Sequence, residues 1–167
     1  MLVQPRFHWQ SSQWHLATIV AIGFWMSSSL LLDFLVMPSL YWSGMMEQAG
    51  FATAGYSLFS IFNRLEILCG VVILCGFLLK QKLPQIEREA FFRNIPLAAM
   101  GVAIALIFTY ILSPQMSALG LNLQGSEVTS IPPAMGQMHL LYWSLETAKL
   151  MILGVLLRRS LRLSFGD

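Results

Sequence analysis

Five residues able to carry charge fall inside long apolar runs: Asp33, Arg64, Glu66, Glu146 and Lys149. At the centre of a membrane helix such a residue costs on the order of 2.5–3.5 kcal/mol, so each is expected to have a partner or a watery refuge. Their spacing allows partners. His139, Tyr142, Glu146 and Lys149 recur at steps of three and four, which places them on one stripe of a helix. Asn63, Glu66 and Gly70 share a face in the same way, as do Ser29 and Asp33, whereas Arg64 points nearly opposite to Glu66. The expected arrangement buries Glu66, Glu146 and Lys149 together and pairs Asp33 with Arg64. Three acids against two bases leave one acid to be protonated, or His139 to contribute.

A second group is chemically softer. Met135, Met138 and His139 lie together beside the polar stripe, and thioethers with an imidazole suit Cu(I). Methionine is also a common filler of apolar helices, so copper stands only as an alternative to no cofactor at all. A bis-imidazole haem site is not expected, because His15 and His139 begin oppositely directed helices. Hydrolase, metalloprotease and nucleotide-binding signatures are absent, and no catalytic residue is expected.

The elements that position these residues follow from composition. Of 167 residues, 56% are apolar and 11% charged, with mean hydropathy +0.67. Soluble domains carry roughly 25% charged residues, so an integral membrane protein is expected. The net charge of +2 gives no basic surface for nucleic acid. Cys69 and Cys75, six apart in an apolar run, form neither a disulfide framework nor a zinc motif. Four segments have the roughly 20 apolar residues that a crossing needs: 15–37, 57–79, 95–112 and 138–157. The first is too long for a signal-peptide core and is expected to be retained. Pro38 should end the first helix and Pro114 should lie just past the third.

Eight of the ten basic residues fall on one side of this layout: Arg6, then Lys80, Lys82, Arg88 and Arg93, then Arg158, Arg159 and Arg162. The connections 38–56 and 113–137 have none. Both termini are therefore expected in the cytoplasm, with a cytoplasmic loop over 80–94 and a long external loop over 113–137. Pro84–Arg93 mixes charge with Phe91 and Phe92, as a short interfacial helix would. Counted from the cytoplasmic ends, Asp33, Arg64, Glu66, Glu146 and Lys149 lie at roughly 27, 22, 20, 16 and 12 Å, so they fall in one zone.

Phe24-Trp25-Met26-Ser27, the exit Met37-Pro38-Ser39-Leu40-Tyr41, and Phe59-Ser60-Ile61-Phe62-Asn63-Arg64-Leu65-Glu66 carry a resemblance. The chain resembles a small four-helix membrane family of unknown function related to vertebrate transmembrane protein 205, and more distantly the four-helix copper-resistance membrane proteins. The resemblance implies an aromatic-rich first helix ending in Pro38, a second helix bearing Asn63 and Glu66, and a fourth opening near His139. Met26 and Ser27 depart from the Gly expected after the first-helix Trp.

The resulting expectation is an all-α, integral membrane four-helix bundle in a bacterial inner or internal membrane. It would act as a non-enzymatic accessory, scaffold or assembly protein. Its partners would be the lipid bilayer and another membrane protein or a second copy. The alternative is a small permease or copper-handling protein that uses the intramembrane acids and the external Met/His group.

Overall fold

A computed structural model of the chain describes residues 6–45, 48, 50–79, 92–124 and 133–165. The described secondary structure is helical and forms four rods. The first runs through α1 (Arg6–Leu31), a wide five-residue π-turn (Leu32–Val36) and α2 (Met37–Trp42). The second is α3 (Phe51–Leu79). The third comprises α4 (Ile95–Ile107), a second π-turn (Phe108–Leu112) and α5 (Ser113–Gln124). The fourth is α6 (Pro133–Phe165). All four are long and apolar enough to cross a membrane, over Gln13–Trp42, Phe51–Leu79, Ile95–Leu121 and Pro133–Arg162.

The prolines do not stop the helices as the sequence reading expected. A proline inside an α-helix lacks its N–H and drives its ring into the carbonyl four residues back. For Pro38 and Pro114 those carbonyls belong to Phe34 and Tyr110, and each lies inside a π-turn. The Met37 N–H reaches back five residues to the Leu32 carbonyl, and the Ser113 N–H likewise reaches Phe108. The widened turn makes room for the ring and the helix continues. Helix therefore occupies 113–124 and 133–137 of the expected external loop, and 125–132 lie outside the described residues. Of the expected interfacial helix over Pro84–Arg93, only Phe92 and Arg93 are described.

Neighbouring rods run antiparallel and close into a ring. Thr18 sits against Gly76, Trp25 against Gly70 and Ser29 against Glu66, so numbers rise along the first rod as they fall along the second. Gly70 meets Val102, Asn63 meets Ser113 and Gly120 meets Ala52, which repeats the pattern between the second and third. The fourth rod packs on both the third and the first. Glycines make the close approaches possible. A Cβ on Gly70 would stand 2.7 Å from Val102 Cγ2 and 3.2 Å from the Trp25 ring, and one on Gly101 would be 3.7 Å from the same ring. The Trp25 indole thus fills the space that small residues open between the second and third rods. Ile22, Ile73, Phe77, Ala105, Leu153 and Leu156 complete the core around it. Outward, Leu16, Val20, Phe24, Leu31 and Leu35 line the first rod with exposed apolar surface. Gly44 (φ +71°) and Gly50 (φ +91°) supply the left-handed backbone in the connection between the first and second rods.

Candidate functional site

Buried acids of the second and fourth rods converge on Lys149. It projects inward from α6, and its ammonium donates to Glu66 Oε1 and lies 2.6 Å from Glu146 Oε2. All three side chains are 1–2% exposed. Ser29 Oγ donates to the same Glu66 oxygen at 3.1 Å. The ammonium also stands 5.1 Å from the centroid of the Phe108 ring, a cation–π contact. Each rod therefore contributes one part: Ser29 from the first, Glu66 from the second, Phe108 from the third, and Glu146 with Lys149 from the fourth. Glu66 and Lys149 belong to opposite members of the ring, so their ion pair crosses the middle of the bundle.

The local causes are clear. Glu146 and Lys149 are three apart on α6 and meet on one face. Within Ser27–Ser29 the three hydroxyls diverge. Ser27 and Ser28 bond back to the Phe24 carbonyl at 3.1 and 2.7 Å, and Ser29 turns inward to Glu66. Asp33 lies in the first π-turn and is buried. Its Oδ1 accepts from the Tyr142 hydroxyl at 2.5 Å. The Tyr142 ring in turn packs on Phe108, with centroids 5.1 Å apart, and edge-on to Phe59 at 6.2 Å. Asn63 Nδ2 donates to Ser113 Oγ at 2.7 Å, just beyond the second π-turn.

The expected Asp33–Arg64 pair is not formed. Asp33 faces the interior and takes its hydrogen bond from Tyr142, whereas Arg64 lies on the exposed side of α3. The reason is the opposition already visible in the spacing: Glu66 faces inward, so a residue two positions away faces out. His139 is exposed as well, and its Nδ1 lies 2.9 Å from the Met135 carbonyl. Met135 and Met138 are half-buried on the same side of α6. Among the described residues no group of three or more His, Cys, Asp or Glu side chains could hold a metal ion.

Electrostatically the centre is unbalanced: Asp33, Glu66 and Glu146 face one ammonium. Asp33 Oδ2, Glu66 Oε2 and Glu146 Oε1 are buried without a hydrogen-bond partner. Buried polar groups left in that condition are costly and call for an explanation. Sequence reasoning missed Phe108 and Ser113. The signals were an aromatic at the depth of the charges and a hydroxyl next to Pro114. It also missed a polar contact near the other end of the bundle, where Arg159 Nη1 donates to the buried Asn94 Oδ1 at 3.0 Å.

Residues 20–122 match DUF4149, a domain of unknown function. The chain belongs to this family. The match takes in Ser29, Asp33, Asn63, Glu66, Phe108 and Ser113, and Tyr142, Glu146 and Lys149 lie beyond it. No curated protein and no solved structure matches the chain.

Proposed function

We propose that the protein is a non-enzymatic accessory or assembly component of a lipid bilayer, with both termini cytoplasmic, whose central ionic clasp fixes the scaffold that another membrane protein binds. One observation carries this reading: the Lys149 ammonium and its acceptor Glu66 are contacted from all four rods and buried among them. Such contacts hold helices in one register, because any slide exposes an unpaired charge to hydrocarbon. Kinship with the transmembrane protein 205 group, read from Phe59–Glu66, belongs to this proposal.

The test is purification from native membranes of the wild-type protein and of Glu66→Gln and Lys149→Met, with mass spectrometry and metal analysis of each preparation. A scaffold co-purifies with a membrane protein and carries no metal, and both are lost together as the variants lose abundance. Variants present at wild-type abundance with the partner still attached would refute the role given to the clasp.

The three unpartnered carboxylate oxygens favour a second reading, a small permease that moves protons through the acids. Proteoliposomes reporting internal pH distinguish it: flux that vanishes in Glu146→Gln at normal abundance would establish transport. Copper in the same preparations, lost in Met135→Leu or His139→Ala, would establish the metal form of this reading.

A further inference from the structure

Arg64 is the charged residue that the clasp leaves out. It lies near the middle of the 29-residue α3, on an exposed stripe shared with Ile61, Leu65 and Leu68. Arginine keeps its charge, so a guanidinium on an apolar outer face must reach an anion or the polar boundary of the layer. The acids among the described residues, Asp33, Glu66 and Glu146, are all buried in the interior. Among the described residues, neither this chain nor a second copy offers an acid on that face.

Direction and depth identify the anion. Helical side chains lean toward the helix N-terminus, here the Phe51 end. That way lies Ser60, one turn back on the same side, and beyond it Ser57, whose hydroxyl donates to the Thr53 carbonyl at 3.0 Å. The other way lie Leu68, Val71, Leu78 and Leu79. Counted from Leu79, Arg64 stands about 22 Å along the helix. A hydrocarbon layer of about 30 Å then leaves its Cα about 8 Å below the boundary at the Phe51 end, close to the reach of a snorkelling arginine.

We infer that Arg64, with Ser60 beside it, holds the phosphate of a lipid headgroup from the leaflet at the Phe51 end of the bundle. The planar guanidinium fork matches the two non-bridging oxygens of a phosphodiester, and a serine hydroxyl can donate to a remaining lone pair on one of them. The inference rests on the reading that the chain spans a bilayer, and the experiment separates the two.

The full-length protein is placed in nanodiscs of phosphatidylglycerol containing a phospholipid with a photoreactive headgroup. After irradiation, adducts are mapped by peptide. The wild-type protein is expected to be labelled over 57–64, with Arg64→Leu losing this label at least tenfold and Arg64→Lys retaining it in part. Labelling around Arg93 and Arg158 stays unchanged and shows the bundle intact. Equal labelling of 57–64 in wild type and Arg64→Leu would overturn the inference alone. So would a cross-link, in native membranes, from this stretch to an acidic residue of another protein in place of lipid. Absence of lipid adducts from every rod would overturn the membrane reading beneath it.

Discussion

Replacing Lys149 by Met removes the one base from a buried group of acids while keeping the side chain's length and apolar stem. In the native bundle the ammonium meets Glu66 Oε1 and lies 2.6 Å from Glu146, with all three residues almost fully buried. Removing one member of a buried ion pair costs about 3–5 kcal/mol, because the remaining charge is left uncompensated. Here two carboxylates are left, so Lys149→Met should fall at the upper part of that range. Hydrogen bonds between membrane helices average only about 0.6 kcal/mol, and because Ser29 donates to a carboxylate, Ser29→Ala should cost about 1 kcal/mol. Glu66→Gln should lie between, at about 1–2 kcal/mol, since the amide oxygen still accepts from Lys149 and Glu146 still balances the charge. The decisive variant is the double substitution Lys149→Met with Glu66→Gln. It removes one stranded charge and should regain more than about 1 kcal/mol over Lys149→Met alone. Unfolding of the purified protein in mixed micelles with increasing dodecyl sulfate, followed through tryptophan fluorescence, gives these differences. A Lys149→Met protein within 1 kcal/mol of wild type, or a double variant no better than the single, would refute the electrostatic reasoning.

Other substitutions test the parts around the clasp. Tyr142→Phe takes away the 2.5 Å donor to Asp33 and should cost about 1–3 kcal/mol, with the loss smaller in an Asp33→Asn background. Gly76→Ala would drive a methyl into the Thr18 hydroxyl, which is held at 2.7 Å on the Trp14 carbonyl. A loss of about 1–3 kcal/mol is expected, and Thr18→Ala should relieve it; both are read in the same unfolding assay. Reporter fusions within 125–132 should be active outside the membrane, and fusions at Lys80–Pro84 inside; a cytoplasmic signal from 125–132 would contradict the assigned orientation.

Much of this was legible in the sequence where the physics is local and periodic. The rods follow from runs of apolar residues, and the meeting of Glu146 with Lys149 follows from their three-residue spacing on α6. Counting along antiparallel helices places Glu66 and Lys149 in one zone, with depths differing by about 8 Å. The partners set by interrupted periodicity were not legible. Each π-turn inserts an extra residue into the helical repeat, so the azimuth of everything beyond it shifts, and hydropathy carries no trace of that shift. Asp33, inside the first such turn, consequently meets Tyr142, and Ser113, just past the second, meets Asn63. Pro38 and Pro114 read as terminators because the rule about proline assumes an unbroken α-helix. The setting of Trp25 against Gly70 and Gly101 was equally hidden, since it joins three rods whose rotation no single stretch specifies.

The Glu66–Lys149 pair joins residues 83 positions apart, and the base is supplied by the fourth rod, made after those that carry Asp33 and Glu66. During synthesis the rods that carry Asp33 and Glu66 are made before their counter-charge exists. Arrival of α6 is therefore coupled to neutralisation of the interior. A chain cut short before α6 keeps Asp33 and Glu66 and lacks the base that Glu66 meets in the closed bundle. The ion pair can therefore close only once α6 has joined the rods before it.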